Sequence, residues 1–348
     1  MTPRRMFTVI LSSLLLLVIA TENLLVPPIV IAAPGTTIRV SITTSGGQGN
    51  NNSFVFGRSI SGDGRYVVFG SEASDLVSGD TNGKSDIFVR DLQTAATIRV
   101  SVATGSIQAN NASSDPAISI DGRFIAFESD ASNLVSSDTN RKGDIFVYDR
   151  QTAIPTRVSV ATGGRQGNDP SGFGFADLFP AISGDGRYVT FVSNSSNLVS
   201  GDTNGRSDVF IHDRQTATTE RISVATGGAQ SNDWSDQSSI SADGRYVAFD
   251  SGASNLVSGD TNGTSGIFVR DRQTGVTERV SIASDGGQGN DYSDFPAISA
   301  DGRFVAFISA ATNLVSNDTN GKIDVFVYDP PGSDNRAYLS CCYRDAGE

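Results

Sequence analysis

The sequence predicts an all-β chain made of five copies of one four-stranded unit, and three recurring markers carry that prediction. Asp-Gly-Arg begins at Asp63, Asp121, Asp185, Asp243 and Asp301, 58 residues apart except for 64 between the second and third. Asp-Thr-Asn begins at Asp80, Asp138, Asp202, Asp260 and Asp318, always 17 residues after the Asp of the first marker. Arg-(Val/Ile)-Ser-(Val/Ile) begins at Arg39, Arg99, Arg157, Arg221 and Arg279. A fixed order at a fixed period marks stacked supersecondary units. No segment after the leader sustains the 3.6-residue apolar spacing of a helix.

The chain opens with Arg4-Arg5 and an apolar run to Ala20, followed by a second apolar patch over residues 24–33. A basic start before an apolar stretch predicts a secretory signal peptide, or an anchor if uncut, over residues 1–33. Elsewhere no run approaches the ~20 apolar residues of a membrane span. The expected location is therefore outside the cytoplasm: periplasmic, extracellular or at the cell surface.

Within the second unit, residues 116–119 predict strand a, and Asp121-Gly122 predicts a tight turn because Gly accepts positive φ. Residues 123–127 predict strand b, residues 144–148 strand c and residues 156–160 strand d, each short, rich in Val, Ile and aromatics and bounded by turn residues. Strands b and c are apolar at successive positions, as in Tyr66-Val67-Val68-Phe69 and Ile87-Phe88-Val89, so both their faces must be covered. Ten of the 19 Phe fall at two repeated positions, Phe69, Phe127, Phe191, Phe249 and Phe307, and Phe88, Phe146, Phe210, Phe268 and Phe326. Four-stranded units buried on both faces by their neighbours are the blades of a β-propeller.

Residues 36–332 thus predict a five-bladed β-propeller of four-stranded antiparallel blades, with a six-bladed ring or an open array as alternatives. A d-type strand at residues 38–42 precedes any a, b or c, and the fifth unit supplies a, b and c before Pro330-Pro331. Five complete blades then require residues 38–42 to join the last one, with residues 336–340 as a rival for that edge. The remainder, residues 333–348, reads as a disordered tail. It holds the adjacent pair Cys341 and Cys342, whose dihedral disfavours a mutual disulfide.

The pattern Ser299-Ala300-Asp301-Gly302-Arg303-Phe304-Val305-Ala306-Phe307 with Asp324-Val325-Phe326-Val327-Tyr328-Asp329 resembles the TolB-like, WD-repeat-like β-propeller repeat of bacterial exported proteins. The resemblance implies fold rather than activity, since such propellers host many functions. The units exceed the common ~40–50-residue blade.

The a–b and c–d turns are short, whereas the b–c and d–a connections are long and polar, so the length surplus falls on one rim, the expected binding face. On the b–c loops, Asp80, Asn82 and Asp86 offer oxygens at calcium-compatible positions, as do Asp138, Asn140 and Asp144, then Asp202, Asn204 and Asp208, and finally Asp318, Asn320 and Asp324. The same residues also suit a metal-free turn bonded to the local backbone. The fourth copy has Gly266 in place of the last carboxylate. On the d–a loops, Gln230, Asn232 and Trp234, with Gln288, Asn290 and Tyr292, pair aromatics with polar groups and are the candidate ligand contacts. The third d–a loop is longer and carries Phe173, Phe175 and Phe179.

Twenty-six Lys and Arg against 38 Asp and Glu give a net charge of −12, which argues against a nucleic-acid partner. One histidine, His212, excludes a His-ligated zinc site and argues against a Ser-His-Asp triad. It stands where other units have Arg or Tyr, which reads as a surface position. The repeated Arg of strand d and the Asp after strand c are expected to pair. The expectation is a monomeric recognition scaffold for a protein or glycan, requiring no cofactor, with Ca²⁺ as an optional structural ion. The competing reading is a glycoside hydrolase-like enzyme, which needs two carboxylates ~5–9 Å apart with a raised pKa; Glu72, Glu128, Asp130 and Asp250, variable after strand b, are its candidates.

Overall fold

A computed structural model describes residues 35–55, 57–172 and 179–330. The predicted leader, the tail with Cys341 and Cys342, the rival strand at residues 336–340, and Phe173 and Phe175 lie outside the described residues. Among the described residues every regular element is a strand. The first sheet comprises β1 (Ser53–Phe54), β2 (Tyr66–Ser71), β3 (Asp86–Asp91) and β4 (Ala96–Arg99), and a short hairpin, β5 (Val102–Ala103) and β6 (Ile107–Gln108), follows it. The second holds β7 (Ser113–Ile118), β8 (Phe124–Ser129), β9 (Asp144–Asp149) and β10 (Ile154–Arg157). The third holds β11 (Ala181–Ile182), β12 (Tyr188–Ser193), β13 (Asp208–Asp213) and β14 (Thr218–Arg221), and the fourth β15 (Ser235–Ile240), β16 (Tyr246–Ser251), β17 (Gly266–Asp271) and β18 (Val276–Arg279). The fifth has three strands, β19 (Ser293–Ile298), β20 (Val305–Ser309) and β21 (Asp324–Tyr328). All pairings are antiparallel between sequence neighbours. The outer strand ends at the marker Arg, so the predicted strand at residues 156–160 is formed over Ile154–Arg157, and Val160 turns into the next connection.

The Asp-Gly-Arg turn is self-contained. The Asp63 carboxylate accepts from Ser61 Oγ at 2.5 Å and from the Arg65 amide at 3.0 Å, while Gly64 takes φ +73°. The Arg65 guanidinium then reaches across the sheet as a fork onto Asp91, at 2.9 and 2.7 Å. The fork recurs from Arg123 to Asp149, Arg187 to Asp213 and Arg245 to Asp271. The Asp after strand c therefore pairs with the turn Arg, not with the Arg of the outer strand as expected. The Arg123 fork holds Asp149 down at about 2 against the opposing effect of burial.

Each sheet meets the next through one repeated joint. Val68, Ile87, Val89 and Val100 of the first sheet pack against Phe127, Phe146, Ala131 and Leu134 of the second. The equivalent residues meet at the next three joints. The cross-strand Phe pair stacks in every sheet, with ring centroids 5.8 to 6.0 Å apart. At the short-turn end, the Arg150 guanidinium lies 3.6 Å over the Tyr66 ring of the preceding sheet. Gly122 approaches the same ring so closely that a Cβ there would sit 2.5 Å from it, and its φ of +70° also requires glycine. A line of inter-sheet amide bonds, Gly62 to Ile120, Ile120 to Gly184, Gly184 to Ala242 and Ala242 to Ala300, runs along the Asp-Gly-Arg turns at 2.8 to 2.9 Å.

The two ends differ from the expected clasp. Residues 38–42 do not pair with the fifth sheet. Val40 packs instead against Phe69, Phe88, Ala73 and Leu76 of the first, and Thr97 Oγ1 donates to the Ile42 carbonyl at 2.7 Å. Thr219 and Thr277 make the same bond to Val160 and Val224, so residues 38–48 occupy the place that each unit's outer segment takes on the following sheet. Among the described residues no strand pairs with the outer edge of β21, where Val325 is 75% and Val327 64% exposed. At that last joint Pro330 stands where Arg150, Arg214 and Arg272 stack elsewhere, and a groove of about 490 Å³ opens beside Tyr246 and Tyr328.

His212 is also not at the surface. It is 5% exposed, its Nδ1 lies 2.9 Å from Thr219 Oγ1, and burial pushes its pKa down to about 4. The preceding unit's hairpin covers it through the Thr219 bond to Val160.

Interior joints should be the costliest to damage. Phe127→Ala is expected to lose about 3–5 kcal/mol in chemical denaturation, while Phe326→Ala, at a half-buried position of the last sheet, should lose well under half of that. Equal losses would contradict the end-sheet description.

Candidate functional site: the long-loop rim and its buried carboxyls

Hydrogen bonds between the b–c and d–a loops place both on one rim. Gln108 Nε2 donates to Asp80 at 2.8 Å, and Asn110 bonds forward to Ser132 and Asn133 of the next sheet. Each d–a segment thus bridges two successive b–c loops.

The centre of each brace is an arginine. Arg99 Nη1 lies 3.3 Å from both Asp80 and Asp86, and Asp86 accepts from Ser101 Oγ at 2.5 Å and Asn82 Nδ2 at 3.2 Å. Arg157 lies 3.2 Å from Asp138 and Asp144, and Arg221 3.2 Å from Asp202 and Asp208. Asn140 and Asn204 turn their amides to Asp144 and Asp208 as Asn82 does. In the fourth unit Gly266 removes one carboxylate, and Arg279 closes onto Asp260 at 2.5 Å. The calcium expectation does not fit the first three loops. The guanidinium already occupies the space between the carboxylates, and the Asn groups face them as donors. Among the described residues no group of three or more His, Cys, Asp or Glu is arranged to hold a metal. The fifth loop differs. Asn320 Nδ2 donates to Asp324 at 2.9 Å, but among the described residues no arginine reaches Asp318 or Asp324, and Asp318 Oδ1 is buried with no hydrogen bond.

The candidate ligand contacts are largely bracing groups. Gln230 Oε1 accepts from Arg221 at 2.9 Å, and Gln288 Oε1 from Arg279 at 3.1 Å. Asn232 bonds Ser254 and Asn255, and Asn290 bonds Thr312 and Asn313. Trp234 is half-buried over Gly252, where a Cβ would sit 2.9 Å from its Nε1. Tyr292, also half-buried, holds Ser309 Oγ through its carbonyl at 2.8 Å.

Beside these aromatics the structure gathers carboxyls. Asp250 on β16 is 2% exposed, pairs in register with Asp236 on β15, and has Asp294 of β19 as a third neighbour. Burial, then the charges of Asp294 and Asp236, raise its pKa well above the usual carboxylate range. Asp236 is raised as well, chiefly by burial. Both β15 and β19 are irregular here, with register shifts and left-handed φ at Gln237 (29°) and Phe295 (56°), and Phe295 is exposed. A second site lies two sheets away. Glu128 on β8 is 4% exposed, and burial, with Asp115 and Asp130 nearby, raises its pKa to about 8.

Sequence variation after strand b singled out Glu128 and Asp250. Asp130 is half-buried and raised by burial, while Glu72 is exposed. Asp236 and Asp294 were missed. Their signal is the shared Ser-Asp at the start of strand a, Ser235-Asp236 and Ser293-Asp294, which becomes informative only when a and b are paired.

No protein-family profile matches the chain, and no curated protein matches it. Several solved structures are similar. The putative TolB from Agrobacterium tumefaciens is 17% identical over 80% of this chain and 77% of its own, with a TM-score of 0.46. TolB from Acinetobacter baumannii is 16% identical over 81% of this chain and 55% of its own (TM-score 0.43). An oligogalacturonate lyase in complex with manganese is 14% identical over 78% and 61% (TM-score 0.46). This chain thus spans little more than half of the latter two. At these identities the likeness assigns no activity.

Two outcomes follow. Arg157→Met strands Asp138 and Asp144 and should cost about 3–5 kcal/mol; a wild-type melting temperature that rises with calcium would contradict arginine as the loop cation. Glu128 keeps its proton in the folded state up to about pH 8 but loses it near 4.5 when unfolded. The contribution of Glu128 to stability should therefore be fullest below about pH 4.5 and fall as pH rises to about 8, by at most ~1.4 kcal/mol per pH unit. Glu128→Gln should flatten that fall in urea titrations, and superimposable pH profiles would contradict it.

Proposed function

We propose that the protein is an exported propeller-type recognition scaffold whose five blades present the long-loop rim to a protein or glycan ligand. The observation that carries this reading is the cross-bracing of the rim. Arg, Asp, Gln and Asn bonds fix loops that would otherwise be mobile, and pre-ordering lowers the entropy lost on binding. The sector between the fourth and fifth sheets suits contact best. Trp234, Tyr292 and exposed Phe295 offer flat apolar faces beside the Asp236 and Asp294 acceptors, a mixture that fits sugar hydroxyls or a basic peptide segment. Among the described residues no helix is long and apolar enough to cross a membrane. The predicted leader supports export.

A second reading rests on Asp250. A carboxyl of raised pKa next to Asp294 is the split acid and base arrangement that glycoside hydrolysis uses. The two readings separate in one experiment. Arrays of neutral and acidic oligosaccharides and of Lys/Arg-containing peptides are probed with the wild type, Trp234→Ala and Asp294→Asn, and the same oligosaccharides are assayed for new reducing ends. Recognition predicts retained probes whose affinity falls about tenfold in both variants, with no cleavage. Cleavage abolished by Asp250→Asn would establish the enzyme instead. Binding indifferent to both rim variants would overturn the assignment to this sector.

A further inference from the structure

Among the described residues the fifth sheet shows no outer strand of the kind the other four possess, and residues 39–48 repeat the sequence of that strand. In the first three sheets the b–c carboxylates are closed by an outer-strand Arg and a Ser two residues later: Arg99 and Ser101, Arg157 and Ser159, Arg221 and Ser223. The fourth retains the Arg. Asp318 and Asp324 have no such partner among the described residues, and the outer edge of β21 is unpaired. Arg39, Val40, Ser41, Ile42 and Gln48 repeat that outer-strand set, with the same Ile42 to Gln48 bridge that Val160 and Val224 make to Gln166 and Gln230. Arg39 is exposed, whereas Val40 is already seated on the first sheet.

We propose that the open edge of β21 is the docking site for residues 38–42 of a second copy of this chain, so that copies associate head to tail. Two arguments select this occupant. Charge is complementary: among the described residues the half-buried Asp318 and Asp324 have no cation between them, and the exposed Arg39 has no carboxylate. The contact also continues an established interface. The exposed Val325 and Val327 are the counterparts of Ile87 and Val89, which cover the Phe face of the following sheet in the first joint. A second copy brings such a face, Phe69 and Phe88 with Val40 in place. Addition of a strand at an edge supplies main-chain bonds as well as side-chain specificity. The two ends are different surfaces, so the contact is heterologous and generates chains of copies or rings. This departs from the expected monomer and does not depend on the rim ligand.

Sedimentation velocity on the full chain across a concentration series tests it, using Arg39→Asp and Asp324→Arg. The wild type should self-associate, and each variant should weaken association by about tenfold or more in Kd. A mixture of the two variants should associate again, because each offers the end the other needs. Far-ultraviolet circular dichroism of each variant should match the wild type, since Arg39 is exposed and Asp324 lies at an end. A wild type monomeric at all concentrations overturns the proposal. So does rescue only in the double variant and not in the mixture, which would mean that residues 38–42 close onto β21 of their own chain.

Discussion

The structure depends on sheets that are apolar on both faces. β3, β9 and β13 are buried along their whole length, which no isolated sheet or single sandwich permits. Each sheet must therefore be covered twice, and a repeated unit solves this by presenting a Phe face on one side and a Val/Ile face on the other. The stacked Phe pairs give each joint its bulk. Arg150 over Tyr66 and Gly122 against the same ring fix its spacing at the short-turn end. Among the described residues no further sheet covers the fifth, and the consequence is the exposure of Val325 and Val327.

The second constraint is electrostatic. Thirty-eight acidic against 26 basic side chains would be a poor basis for rigid loops if the carboxylates were left to repel. The repeats place one arginine between two of them in each of the first three sheets and lock it with Gln and Ser. Breaking such a buried pair is costly because it leaves an uncompensated charge. The rim is thereby stiff, which is what a surface that recognises something requires. Carboxyls without a cation occur where the repeat is broken, at Asp250 and Glu128, and burial there raises the pKa of both.

The unit, its strand order, its turn chemistry and its two-faced burial were legible in the sequence because each rests on local pattern. Asp-Gly for the hairpin turn, Phe at two fixed positions and unbroken apolar runs need no tertiary information. Pairings between distant segments were less legible. The Arg of the outer strand had two acidic neighbours available, Asp91 and Asp86, and only the register shows that the turn Arg65 claims the first. The Asp80, Asn82 and Asp86 spacing read equally as a metal loop because the sequence does not show that Arg99 lies between them. His212 read as exposed because the hairpin that covers it comes from another unit. Residues 38–42 were recognised as an outer strand, but not that they remain on the first sheet. Asp236 and Asp294 were silent until strand pairing brought them to Asp250.

The central claim is that burial of both faces, sheet upon sheet, holds the chain together and leaves the fifth sheet exposed at its end. Native-state hydrogen exchange, followed at a dilution where copies are separate, measures this sheet by sheet. The account predicts that amides of β9 and β13 exchange only with global unfolding, whereas those of β21 exchange much faster by local opening. Uniform protection across all five sheets would contradict it.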